Sequence, residues 1–315
     1  MAEIGLGTWA MGGPWTLNDG SPVGWGAVDD DQSIRSIHEA IDNGATLFDT
    51  ANVYGCGHSE EVLGNALKGR PDVQISSKFG MGFDAARMTA THDEVTEPEI
   101  RASVEASLRR LCRDKLEYLF FHLNEFPAEK AAPVFEVLEK LREEGKIDTF
   151  GWSTDFVDRA KVGLTFAGFS CVQFDLNLFV PAGAMRALQS EHGFKPFNRQ
   201  PLGMGLLSDK TLLGERKFSE TDIRSVGADW MIYFKDGKPN SELLEKLASV
   251  REHLTVDGRT VVQGALGWIW ATCPDAVPIP GFRSGTQASE LIEAARKGAL
   301  PDDTLRAIEG ILRTG

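Results

Sequence analysis

No run of eighteen apolar residues occurs in the 315-residue chain, which argues against a membrane-spanning helix. A secretory leader is not expected either: Glu3 and the strand-like Ile4-Gly5-Leu6 follow directly on Met1, and the cytoplasm is the expected compartment. Positive charge is scarce. Lys and Arg total 33 against 46 Asp and Glu, a net charge of -13, so nucleic acid and other polyanionic partners are disfavoured. A pocket for an anion would have to work locally against the field of the whole molecule. Cysteine is scarce too. Cys56, Cys112, Cys171 and Cys273 show neither a CxxC pair nor metal-ligand spacing, which points to reduced thiols and no metal site. Low-complexity tracts and short repeats are missing, and no GxGxxG turn joins a strand to a helix, so no Rossmann domain is expected.

What is present is an alternation of short apolar runs with helical patterns. Ile4-Gly5-Leu6, Thr46-Leu47-Phe48-Asp49, Val73 to Lys78, Leu116 to His122, Thr149 to Ser153, Cys171 to Leu176, a weak Lys195-Pro196-Phe197 and Val277-Pro278-Ile279 read as eight strands. Between them, apolar residues at helical spacing mark Asp31 to Asn43, Ser59 to Leu67, the segment after the capping-box pattern Thr96-Glu97-Pro98-Glu99, Val134 to Leu141, Leu243 to Val250 and Val261 to Trp270. Eight such units without a linker predict one α/β domain over residues 1–315, a (β/α)8 TIM barrel whose chemistry lies at the carboxyl ends of the strands. Three long loops, Pro14 to Asp29, Gly80 to Glu94 and Leu213 to Lys238, are expected to set specificity.

Asp49, Lys78 and His122 each stand where an apolar run stops, and Tyr54 follows on the loop after the first of them. Taken singly, each has an ordinary reading: a loop or capping aspartate, a solvated lysine, a core histidine, a surface tyrosine. Converging on one rim, they make a proton-transfer site with the phenol as acid. A unit charge about 4 Å away at an effective dielectric near 20 is worth roughly 4 kcal/mol, so Lys78 is expected to pull the phenol below its ordinary value of about 10. Asp49 would hold the ammonium, and His122 would polarise a carbonyl. Trp15, Trp25, Phe79 and Trp152 are candidates for the substrate wall.

FDTANVYGCGHSEEVLGNAL (Phe48 to Leu67), SSKFG at Lys78, YLFFH at His122, GKIDTFGWS up to Ser153, VQFDLN at Gln173, PLGMGLL after Arg199 and IPGFRS at Arg283 follow one another along nearly the whole chain. In that order they resemble the aldo-keto reductase family, most of all its bacterial sugar, polyol and aldehyde reductases. The resemblance implies a barrel that reduces an aldehyde or ketone with NADPH, or more weakly NADH, and a catalytic set of Asp49, Tyr54, Lys78 and His122. It implies nucleotide contacts from Thr8, Trp9, Ser153, Gln173, Arg199, Pro201, Leu202, Gly205, Leu206, Ser208, Lys210, Gly281, Arg283, Ser284, Gln287 and Glu290. Arg283 beside a helix start suits the 2′-phosphate of NADPH. Arg199 stands where many members stack a tyrosine on the nicotinamide, and its charge is expected to favour NADPH over NADP+.

Thr154 replaces the family's usual asparagine, and Leu291 follows Glu290 where an asparagine is common. The hairpin that plugs the family's barrel floor is missing before Ile4, so either the natural start lies upstream or the floor is covered differently. A small carbonyl compound is the expected partner, with the oligomeric state open. Two other readings stand beside this one: a lyase forming a Schiff base on Lys78, and a slow-turnover nucleotide-binding regulatory protein.

Overall fold

The computed structural model describes residues 1–215, 217–226 and 230–314. Eight parallel strands run in sequence order: β1 Leu6–Gly7, β2 Leu47–Asp49, β3 Gln74–Phe79, β4 Leu116–Phe121, β5 Ile147–Ser153, β6 Phe169–Asp175, β7 Lys195–Arg199 and β8 Val277–Pro278. The ring closes where the Gly5 and Gly7 N–H groups donate to the carbonyls of Pro278 and Pro280 at 3.0 and 2.9 Å. This is the expected (β/α)8 barrel, and the weak seventh strand is a full five-residue member of it.

Around the ring lie α1 Asp30–Asp42, α2 His58–Ala66, α3 Glu97–Leu111, α4 Ala132–Glu143, α5 Val157–Gly163, α6 Gly183–His192, the single turn α7 Asp209–Leu212, α8 Ser241–Leu254, α9 Val261–Thr272, α10 Gly285–Lys297 and α11 Asp302–Thr314. Local signals set their ends. The Asp29 carboxylate accepts the Gln32 N–H to start α1, and the Thr96 N–H donates to Glu99 at 3.0 Å to start α3. No helix among the described residues is long and apolar enough to cross a membrane.

Period-two alternation divides the strand residues into two populations. Leu47, Phe120, Cys171, Phe197, Val277 and Ile279 fill the barrel interior. Ile75, Phe79, Leu119, Phe121, Phe150, Trp152 and Phe174 pack outward against Val104, Leu108, Val134, Phe135 and Leu138 of the helices. Phe79 and Trp152 are therefore not substrate-wall residues: Phe79 stacks on Phe121 at 5.5 Å, and the Trp152 indole N–H is spent on the Leu123 carbonyl at 3.0 Å. The floor is covered without a hairpin. Tyr118 packs edge-on against Phe197 at 4.9 Å, and Lys195, paired with Glu3, donates to the Tyr118 hydroxyl at 3.3 Å.

Two of the three long loops have more structure than the sequence shows. Met81–Asp84 and Thr89–Asp93 form an antiparallel hairpin, which the Pro14–Asp29 loop joins through Thr16, bonded to Met88 and Ala90 at 2.9 Å each. In the Leu213–Lys238 loop, Arg216 and residues 227–229 lie outside the described residues. Trp15, Val23, Ala90, Ile223, Met231, Tyr233 and Phe234 from these segments, with Met204 from the turn after β7, make a second apolar cluster above the strand ends.

Glu60, fully buried in α2, ties the helix layer to β3: one oxygen accepts the Ser77 hydroxyl at 2.6 Å and the other the Arg110 guanidinium at 2.7 Å. Glu60→Gln keeps the volume but leaves Arg110 facing a neutral group, and a loss of about 2–4 kcal/mol is expected. Urea unfolding followed by tryptophan fluorescence measures it; an unchanged midpoint would show that the network contributes nothing.

Candidate active site

Strand geometry brings the chemistry together. Asp49 closes β2, Lys78 is the penultimate residue of β3, His122 follows β4, Ser153 closes β5, and Gln173 and Arg199 stand near the ends of β6 and β7. Tyr54 reaches the same rim from a turn made of Gly55 (φ 61°), Cys56 (φ 53°) and Gly57 (φ 100°). Glycine is required at position 55, because a Cβ there would lie 1.8 Å from the Gly12 carbonyl oxygen.

Lys78 and Asp49 form a buried ion pair, Nζ to Oδ2 at 2.6 Å, with Lys78 only 1% exposed. Burying two charges is costly unless every remaining lone pair and proton finds a partner. Here they do. The ammonium also donates to the Thr50 carbonyl at 2.6 Å, and Asp49 Oδ1 accepts from Ser76 at 2.7 Å and Gln173 at 2.9 Å. Two ammonium protons are thereby committed, and the third is left for the side of Tyr54, whose ring centroid is 4.8 Å from Nζ.

The resting electrostatics correct one expectation. Burial pushes the Tyr54 phenol above its ordinary value; Lys78 pulls it down, Asp49 pushes it up, and burial wins. The tyrosine therefore rests as a neutral, proton-loaded acid, and Lys78 exerts its effect when negative charge develops on the oxygen. Burial also works against the Lys78 ammonium, but Asp49 and Tyr54 together hold its pKa above the ordinary value. A lysine held protonated is not a nucleophile, which removes support for a Schiff base there. His122 is driven well down by burial, with Lys78 and Arg199 adding to the effect. It is a neutral imidazole standing edge-on to Tyr54 at 5.9 Å, and its buried Nδ1 has no partner among the described residues.

Ser153 and Gln173 are drawn into this network: the Gln173 amide holds Asp49, and its oxygen accepts the Ser153 hydroxyl at 3.2 Å. Thr154 points its hydroxyl at the Asn124 carbonyl, 2.9 Å away. Thr8 is buried, bonded to the Asp49 carbonyl at 3.0 Å and to Ser59 at 2.8 Å. Trp9 stacks on Tyr54 at 5.6 Å, with its indole N–H on the Val23 carbonyl. Trp15 and Trp25 lie in the apolar cluster overhead.

Arg199 is at the rim, but not as the lone cation expected from sequence. Its guanidinium sits between Asp155, Nη2 to Oδ2 at 2.5 Å, and Asp175, Nε to Oδ1 at 3.3 Å. Asp155 and Asp175 flank the one positive charge, and burial raises the Asp175 carboxyl above its ordinary value while Arg199 pulls it down. Neither aspartate was singled out in the sequence, although Asp175 ends a strand as Asp49 does and Asp155 lies two residues beyond another. The rule that found the catalytic candidates would have found both.

After β7 the backbone turns sharply through Gln200, Gly203, Met204 and Gly205, all at positive φ. Pro201 and Leu206 are buried and Leu202 and Gly205 half-buried along it. Ser208 donates to the Gly205 carbonyl at 3.0 Å at the start of α7, on which Lys210 is exposed. Across the rim, Gly281, Arg283, Ser284 and Gln287 form one corner at the start of α10. Ser284 caps the helix by accepting from the Gln287 N–H, and the Gln287 side chain accepts the Arg283 N–H at 2.8 Å.

Arg283 spends two of its donors on the Trp25 and Ala27 carbonyls at 3.2 and 2.8 Å. A guanidinium has five, so three remain for an oxyanion. A Cβ at Gly281 would meet nothing nearer than the Gly7 oxygen at 3.8 Å, which leaves the approach open. Glu290 is taken up by Thr260 at 2.7 Å. Among the described residues no group of three His, Cys, Asp or Glu is placed to hold a metal.

Comparison with known proteins agrees with this geometry. The pattern of the Aldo/keto reductase family matches residues 3–313. The aldo-keto reductase YhdN of Bacillus subtilis is 29% identical over 307 residues, covering 93% of this chain and 84% of that protein. The glycerol dehydrogenase of Gluconobacter oxydans superposes with a TM-score of 0.80 at 29% identity, over 99% of this chain and 91% of that one. An aldo-keto reductase of Klebsiella pneumoniae, solved in complex with NADPH, shares the fold with a TM-score of 0.70 at 22% identity, over 98% and 90%.

Two histidines near the rim should titrate in opposite ways. His58, which opens α2, directs Nδ1 at the Gly12 carbonyl (3.1 Å) and Nε2 at Asp30 (3.0 Å). Both partners only accept. Burial opposes its charge, but these partners together raise its pKa above the ordinary value. Lowering the pH from roughly 8 to 5.5 should protonate His58 early and leave His122 neutral. Nitrogen-15 NMR assigned with His58→Asn and His122→Asn checks this, and a His122 midpoint near the ordinary value would overturn the buried-imidazole assignment.

Proposed function

The chain belongs to the Aldo/keto reductase family and is an NAD(P)H-dependent oxidoreductase of small carbonyl compounds; we propose that Tyr54 is its general acid and base, served by Lys78, Asp49 and His122. The observation that carries this reading is the Tyr54 ring 4.8 Å from the ammonium of a buried, hydrogen-bonded Lys78–Asp49 pair at the carboxyl ends of the barrel strands, with burial holding the phenol above its ordinary value.

The chemistry follows from the protonation states. Bound NADPH would supply the hydride for the carbonyl carbon. Tyr54, proton-loaded at rest, gives its proton to the carbonyl oxygen. Lys78 stabilises the negative charge left on the phenol oxygen, and Asp49 keeps the ammonium in place and charged while Ser76 and Gln173 keep Asp49 in place. His122, neutral, donates a hydrogen bond that polarises the carbonyl without competing as an acid. In the reverse direction the same groups accept the proton of an alcohol.

Arg283, with Ser284 and Gln287 at the start of α10, would hold the 2′-phosphate. Arg199, Ser153 and the turn Pro201–Ser208 would border the rest of the nucleotide, and Trp15 and Trp25 the substrate. Residues 1–315 act as one domain in this reading. The cytoplasm is the compartment, an assignment supported by four cysteines that are all free.

Tyr54→Phe removes only the hydroxyl and should lower turnover at least about a hundredfold, the loss of a positioned proton donor, with NADPH affinity retained. Steady-state rates paired with fluorescence titration test this, and near-normal turnover would overturn the assignment of Tyr54. Arg283→Ala should weaken NADPH by about ten- to a hundredfold, the worth of a charge-assisted bond, and NADH far less. Equal losses for both nucleotides would place Arg283 away from the 2′-phosphate.

A further inference from the structure

The charge at the rim is settled by three residues outside the catalytic set. Lys78 and Asp49 cancel and His122 is neutral, so the balance falls to Arg199 and its two partners. Their geometry is built. Asp155 Oδ1 accepts the backbone N–H of Asp175 at 2.8 Å, its own N–H donates to the Asn124 side chain at 2.9 Å, and Oδ2 meets Arg199 at 2.5 Å. Asp175 stands on the other side of the guanidinium at 3.3 Å; burial raises its carboxyl above the ordinary value, Arg199 pulls it down and Asp155 pushes it up. The cluster lies close enough to the reacting groups for Arg199 to act electrostatically on both Tyr54 and His122.

Resting on the function proposed above, we propose that Asp155 and Asp175 select the redox form of the nucleotide: with both carboxyls ionised against the one guanidinium, the rim carries one negative charge in excess, which would favour the positively charged oxidised nicotinamide over the neutral reduced one. Bound NADPH would supply the hydride and its electron pair to the carbonyl carbon while Tyr54 gives its proton to the oxygen, and the carboxylates at Arg199 would stabilise the positive charge that the nicotinamide gains. NADP+ would then bind more tightly than NADPH. A lone arginine would act in the opposite direction. Asp155 and Asp175 are positioning residues in this scheme, acting through charge and through the hold on Arg199.

Isothermal titration with NADP+ and NADPH tests the inference over a charge series. Arg199→Gln makes the excess two, either Asp155→Asn or Asp175→Asn makes it zero, the double asparagine variant makes it one positive, and Arg199→Lys leaves it unchanged. The NADP+ to NADPH affinity ratio should change by about three- to tenfold per unit charge, the size of a Coulomb effect between nearby charges under an effective dielectric between protein and water. It should rise in Arg199→Gln, fall in each single asparagine variant, fall further in the double variant and stay within about twofold in Arg199→Lys. Added salt should compress the series. A merely structural role would weaken both nucleotides together and leave the ratio alone. A ratio that stays put, or moves out of order with charge while both nucleotides bind, overturns the inference; failure of the parent to bind either nucleotide overturns the cofactor reading beneath it.

Discussion

A single buried ion pair governs the site. An uncompensated charge in a protein interior costs several kcal/mol, and Lys78 and Asp49 escape that cost only through Ser76 on β3, Gln173 on β6 and the Thr50 carbonyl just past β2. The pair is therefore a constraint on the barrel as much as a catalytic device. β2 and β3 must keep the register that sets Asp49 against Ser76, and β6 must bring Gln173 across the interior to the same carboxylate. Below the pair the interior is apolar, with Phe120, Phe197 and Leu47. The polar layer begins where the strands end, which is where ligands reach it.

That constraint also fixes the order of proton affinities. Desolvation raises the tyrosine and depresses the histidine, and the ammonium stays charged because its carboxylate is inescapable. Three neighbouring groups are thus suited to the three separate tasks of the proposed mechanism at one pH: acid, neutral hydrogen-bond donor and fixed cation. None of the three separations is intrinsic to the residue type. A tyrosine at the same place with an exposed lysine would be an ordinary surface phenol.

Strand ends were legible because a buried parallel strand is a short apolar run, and a polar residue that terminates it stands out. Asp49, Lys78 and His122 were readable for that reason. Which face a side chain takes was not: Phe79 and Trp152 adjoin catalytic or candidate residues in sequence, yet alternation turns them toward the helices. The hairpin between Met81 and Asp93 was hidden because MGFD and TATHD are only four and five residues long, have few apolar residues, and owe their pairing partly to Thr16 on a distant loop. Arg199 was located by position, but the net charge around it depends on Asp155 and Asp175, 44 and 24 residues away along the chain. Electrostatic balance is a property of assembled neighbours, and no local pattern announces it.

The roof follows the same logic. Arg224 is bonded to Asp222 through both oxygens, at 2.8 and 2.7 Å, and lies between the Trp25 ring at 4.4 Å and the Phe218 ring at 4.0 Å. Trp25 is thus gripped through its ring by the loop after β7 and through its carbonyl by Arg283 at the corner proposed for the 2′-phosphate. Its ring meets Trp9 edge-on at 5.4 Å, and Trp9 stacks on Tyr54. An unbroken path of packed groups therefore runs from the proposed phosphate corner to the proposed acid, through Trp25 and Trp9. A cation–π contact of this desolvated kind is worth about 2 kcal/mol, enough to make the placement of Trp25 depend on both ends of the path. The loops expected to shape the substrate pocket are consequently not free appendages on a rigid barrel: their geometry is set jointly with the proposed nucleotide corner.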